Sequence, residues 1–180
     1  MTWEEFEAKF PLILRWIKIT RSEHEADAST VASLGFQRLP GYYDPETLES
    51  AKVVYVDKAP MPPLSAIGLA QFADFEQMHP GGITYLDTFF VRGRLRDDEA
   101  IHFHELVHVI QWRALGPKRF LAAYADGLER MGYDRNPLEV MAYTLESVFR
   151  HSERSFNVAT IVREQLKRLY PDFEKESSLA

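Results

Sequence analysis

Apolar positions recur at helical spacing toward both ends of the chain, and in short continuous runs in between. Near the start, Trp3, Phe6, Phe10, Leu14 and Ile17 fall on one helical stripe. Thr2 followed by Glu5 is a capping-box signature ahead of it. Pro11 lies inside the stripe, where it removes a donor and crowds the preceding turn, so a kink or break is expected there. An amphipathic helix laid over a core explains this stretch better than a membrane or partner helix. The polar run "TRSEHEADAST" then leads into a further helical turn or two ending at Gly35.

The middle of the chain reads differently. "LPGYYDPETLES" has turn punctuation and predicts a loop followed by a short helix, whereas "AKVVYVD" is rich in β-branched residues and predicts a strand. "KAPMPPL" is irregular, "LAQFADFEQM" suggests some helix, and "HPGG" is a turn. "ITYLDTFFV" reads as one strand, the best in the sequence. Helical spacing then returns. Asp97 or Asp98 can cap a helix that Gly116-Pro117 stops, and "PKRFLAAYADGLERMG" predicts a second helix ending near Gly132. Asn136 and Pro137 supply the cap and first position of a third, in "DRNPLEVMAYTLESVFRHS". A fourth, around "VATIVREQLKRLY", ends before Pro171, and residues 172–180 are expected to form a loose tail. The expectation is a mostly helical α+β domain with a small mixed or antiparallel sheet.

Composition narrows the function classes. The 180 residues are 46% apolar and 27% charged, which suits one globular domain, 1–180, with residues 1–40 as its N-terminal helical segment. A net charge of −6 without basic runs argues against nucleic acid as a partner. "MTWEEFEAKF" lacks the basic and apolar regions of a signal peptide. "FPLILRWIKI" is interrupted by Arg15 and Lys18 and is far shorter than the ~20 residues that span a bilayer. No membrane partner and a cytoplasmic location are the expectation. The chain has no cysteine, so any metal must be held by His, Asp or Glu.

That restriction bears on "IHFHELVHVIQW", residues 101–112, which carries three of the six histidines. His104 and His108 are four apart and so project from one helical face, one turn above the other. Two imidazoles so placed can share one ion, and Glu105, about 100° around the axis, is placed to act as a base. Phe103, Leu106, Val107, Ile110 and Ala114 form an apolar face that would hold the helix in the core, with the histidines to another side. Imidazoles beside such a face need partners; a metal satisfies both, and carbonyls or water are the blander alternative. His102 points some 160° away from His104 and reads as a second-face or surface residue. His24, His79 and His151 have no spacing that recommends them.

A catalytic zinc site takes three protein ligands and leaves a position open. A metzincin would need glycine at 111 and histidine at 114, where this chain has Gln111 and Ala114. The third ligand is then a carboxylate from a later helix, with Glu129, Glu139 and Glu146 as candidates. Glu139 sits in the first turn of a well-capped helix. Glu129 follows His108 by twenty-one residues (129 − 108), a usable spacing, in a setting that resembles a solvated helix end.

"FHELVHVIQW" followed by "NPLEVMAY" resembles the small bacterial zincin-like domains with a HEL-x-HV-x-Q motif and a later P-x-E motif, of the gluzincin kind. The resemblance is strongest over residues 83–146, the expected zinc-site core. It implies Zn²⁺ held by His104, His108 and Glu139, Glu105 as catalytic base, and a peptide or protein substrate. It also implies that "ITYLDTFFV" precedes the active-site helix as a strand of the sheet. Better-known gluzincins carry Asp four residues after the ligand Glu to orient a zinc-bound histidine; Tyr143 stands there, and Glu146 is a possible substitute. Tyr124, Tyr133 and Tyr143 are candidate oxyanion donors by proximity in sequence, though packing is the commoner role for tyrosine. The expected function is a zinc metallopeptidase-like hydrolase; the competing readings are an inactive zinc-binding interaction domain and a metal-free helical adaptor.

Overall fold

The computed structural model describes residues 1–171 and has an α+β architecture. Helix α1, Trp3–Glu23, opens with the Thr2–Glu5 capping box and buries Phe6, Ile13, Ile17 and Thr20. It runs through Pro11 without a break, contrary to expectation. Pro11 and Glu7, whose carbonyl lies one turn earlier, are both on the exposed side, where solvent can satisfy the group that loses its partner. Short 3₁₀ turns at Val31–Leu34, ending on left-handed Gly35, and at Leu39–Gly41 lead to α2, Pro45–Ser50. Between Phe72 and Gln77 lies the one-turn α3, Ala73–Glu76.

Four strands form a mixed sheet in the order β1-β2-β4-β3: β1 is Ser29–Thr30, β2 Lys52–Val56, β3 Gly82–Tyr85 and β4 Thr88–Arg92. β2 and β4 are parallel, with Val54 opposite Phe90; the two outer pairings are antiparallel. "ITYLDTFFV" is therefore a hairpin rather than one strand. Its two-residue loop, Leu86–Asp87, contains no glycine, and Leu86 takes φ +63°. Hairpin loops of this length need positive φ and favour Gly or Asn there, so the turn carried no sequence signal. Arg21 reaches Asp87 with its guanidinium and donates from Nε to Thr88 Oγ1, 3.2 Å, fastening α1 to the hairpin.

Helix α4, Glu99–Met131, starts on Asp98, whose side chain accepts from the Ala100 amide. Gly116 has non-helical φ and ψ of 71° and 163°, so the element is two helical pieces joined at the Gly-Pro step. In the first piece residues 102–112 are all buried, and α4 packs against β3 and β4 of the sheet, α5, Pro137–His151, and α6, Val158–Leu169. His104 and His108 thus stand on a side of the helix apart from Phe103, Leu106, Val107 and Ile110, but that side too is buried. Phe89 packs on His102, and Phe149 stacks on Phe103 of this helix. Among the described residues no helix is long and apolar enough to cross a membrane.

Candidate metal centre

α5 brings the third acidic group to the α4 histidines. Asn136, fully buried, caps α5 by accepting from the Leu138 amide and also donates from Nδ2 to Tyr124 O, 3.0 Å. The close approach depends on Gly127, since a Cβ there would lie 2.7 Å from Asn136 Oδ1. With the start of α5 held against α4, Glu139 in its first turn faces both histidines.

His104, His108 and Glu139 are all buried and form a group that could hold a metal ion. The two Nε2 atoms are 3.1 Å apart. Glu139 Oε2 is 3.6 Å from His104 Nε2, and Oε1 is 3.4 Å from His108 Nε2. Tyr124 OH donates to Glu139 Oε1, 2.6 Å, whereas Oε2 is buried without a hydrogen-bond partner.

The hydrogen bonds behind the rings assign their tautomers. His104 Nδ1 lies 3.1 Å from Glu146 Oε2, a carboxylate that can only accept when ionised. His108 Nδ1 lies 2.8 Å from Gln111 Oε1, and the Gln111 amide nitrogen is committed to Leu138 O at 3.0 Å. Both Nδ1 atoms are therefore donors, and neutral rings turn two bare Nε2 lone pairs toward each other and toward a carboxylate. Such a buried set requires a cation. Without metal, a proton serves: burial alone would lower the His104 pKa, but Glu139 and Glu146 raise it to about 10. Burial alone would raise Glu139, yet the His108 and His104 rings hold it well below the carboxylate range.

Glu105 lies on the neighbouring side of α4, 3% exposed. Its Oε2 accepts from Thr84 Oγ1 on β3, 2.7 Å. Burial raises its pKa, opposed by the two histidines and the Thr84 bond. A Cβ at position 82 would lie 2.4 Å from Glu105 Oε1, so Gly82 makes room for the carboxylate at the sheet edge.

The other candidates fall elsewhere. Glu129 is exposed and pairs with the Met1 amine, away from the cluster. Glu146 stands behind His104 and also accepts from Arg150 Nε, 2.8 Å. His102 is on a second face but fully buried, not on the surface; its nitrogens meet Asp98 O and Tyr55 OH at 2.9 and 3.0 Å, and burial lowers its pKa. Tyr143 lies against His104, with ring centroids 4.5 Å apart and the planes tilted by 58°, and its hydroxyl is 3.4 Å from Tyr133 OH. Thr84, Gly82, Gly127 and the positioning role of Gln111 were not legible beforehand. Only Gln111 had a signal, since it stands three residues after His108 and so on the same helical face.

Two cavities meet at His104, Glu105 and Tyr133. One encloses about 940 Å³ of empty space, mouth included, and is lined almost wholly by apolar side chains from α1, residues 62–83 and the second piece of α4. The other has a larger polar share, with Asp98, Tyr133, Tyr143, Glu146 and Arg150 in its wall beside Met78, Pro80 and Ile101. Neither family models, curated proteins nor solved structures contain a match to this chain.

Proposed function

We propose that the protein is a zinc-dependent hydrolase of gluzincin type that cleaves an amide bond, with His104, His108 and Glu139 as ligands and Glu105 as general base. The observation that carries this reading is the pair of Nε2 atoms turned toward each other and toward Glu139, with both rings locked from behind. Bonds of about 2.0–2.1 Å in tetrahedral array separate neighbouring ligand atoms by about 3.3 Å. The two imidazole nitrogens, 3.1 Å apart, lie near that value, and each also has a Glu139 oxygen close by, Oε1 at 3.4 Å from His108 and Oε2 at 3.6 Å from His104. Imidazole and carboxylate donors suit zinc, and the group comprises three side chains among the described residues, as in sites that keep a position for substrate.

Zinc in such a set supplies Lewis acidity, polarising a carbonyl and making water more acidic. The protein supplies the rest. Glu105, with Oε2 anchored by Thr84, takes a proton from water on Oε1 and returns it to the leaving nitrogen. Glu146 and Gln111 keep the ligand rings oriented. Tyr133, which lines both cavities, is the proposed donor for a developing oxyanion, since the Tyr124 hydroxyl is committed to Glu139.

The test pairs metal analysis with a peptide- and acylamide-hydrolysis screen. Wild type should carry one zinc per chain; Glu105→Gln should keep it and lose hydrolysis by about 10²–10⁴-fold. Undiminished hydrolysis in metal-replete Glu105→Gln would remove Glu105 from the mechanism, and a wild type that takes up no zinc would overturn the reading.

A further inference from the structure

The apolar cavity narrows the substrate class, an inference that rests on the hydrolase reading. Phe6, Ile13 and Ile17 line it from α1, and the eleven residue steps from the first to the last rise about 16 Å at 1.5 Å each. Leu64, Phe72 and Leu128 close it from other elements. Apart from Tyr133, at the junction with the second cavity, the polar side-chain atoms of its Tyr and Trp lining are already committed. Tyr85 OH donates to Pro60 O at 2.7 Å, Trp112 Nε1 to Thr84 O at 3.1 Å, and Tyr124 OH to Glu139. A peptide backbone threaded there would bury amide groups without partners, at a cost that a hydrocarbon chain avoids. The ionisable His and Glu side chains of the lining are His104, Glu105, His108 and Glu139, which converge at the candidate metal centre.

We propose that the substrate is an amide of a long aliphatic acid: the acyl chain lies in the apolar cavity, its carbonyl at the His104–His108–Glu139 group, and the amine in the polar mouth lined by Tyr143 and Arg150. Water adds its oxygen to the acyl carbon, the C–N bond breaks, and Glu105 passes the water's proton to the amine nitrogen. The products are a fatty acid and a polar amine.

The probe is a series of straight-chain alkyl hydroxamates, from two to fourteen carbons, titrated into zinc-loaded full-length protein by calorimetry. Affinity should rise about three- to fourfold per methylene through at least ten carbons. Ala125→Phe, which fills the cavity wall, should flatten that gradient while leaving binding of the two-carbon member unchanged. A plateau at four or five carbons, the reach of an amino-acid side chain, overturns the proposal, as does a gradient that Ala125→Phe leaves intact. A parallel series of 1-alkanols on zinc-free protein separates the two readings. A steep alkanol gradient with no hydroxamate affinity would overturn the zinc reading while supporting the cavity's preference for aliphatic chains. Tight two-carbon hydroxamate binding with no gradient in either series would do the reverse.

Discussion

The two pieces of α4 have similar local preference and opposite surroundings. Before Gly116, residues 102–112 are all buried, including three histidines, Glu105 and Gln111. After it, only Phe120 and Gly127 are buried, and Asp126, Glu129 and Arg130 face outward. In the second piece a polar residue is there because water accepts it. In the first, each polar residue must be matched by a partner from another element: Tyr55, Glu139 and Glu146, Thr84, Leu138. A helix wrapped on all sides can keep His and Glu only where the tertiary structure, or an ion, supplies what water would have supplied.

That contrast is open to breakage by substitution. The largest effect should come from Glu139→Ala, which leaves two ligands and should abolish stoichiometric zinc binding as read by elemental analysis, while Glu129→Ala leaves it intact. Next come the groups behind the rings. Gln111→Ala strands the His108 Nδ1 proton, and Glu146→Gln weakens the hold on His104; each should loosen zinc by about 10–100-fold in a competition titration. Equal affinity in both variants would show that the rings are held by packing alone.

Proton linkage sharpens the comparison further. Because His104 is charged in the metal-free protein until about pH 10, zinc uptake near pH 7 should release about one proton per ion, measurable in weakly buffered solution. The folded pKa is raised above the unfolded value of about 6.5, so His104 contributes its full stability below that pH. The contribution should disappear as pH rises through about 10, seen as a falling Tm of metal-free protein between pH 7 and 10. The smallest effect belongs to the outer piece of α4. Asp126→Ala removes the exposed pair with Arg130, 2.7 Å, and should change stability by no more than about 0.5 kcal/mol in denaturant unfolding.

Local signals made the helices legible. The Thr2–Glu5 box, Asp98, Asn136-Pro137 and the Gly116-Pro117 stop all act within a few residues of themselves, and each is found where its chemistry puts it. Where local rules misled, solvent or tertiary contact had altered the balance. Pro11 is tolerated because its helix face is wet, and the Leu86–Asp87 turn forms without glycine. His102 is buried rather than exposed because Tyr55 and the Asp98 carbonyl satisfy both its nitrogens.

By itself, the sequence determined the helix that carries His104, Glu105 and His108, because a four-residue spacing becomes a shared face on any α-helix. It also supplied three acidic candidates from later in the chain, but spacing alone did not rank them. The tertiary structure made the separation: Gly127 lets Asn136 close against α4, and that contact turns Glu139 toward the rings, leaves Glu146 behind one of them and sends Glu129 to the Met1 amine. Local pattern fixes direction along one helix, whereas which groups meet across two helices is decided by the side chains, or the missing Cβ, between them.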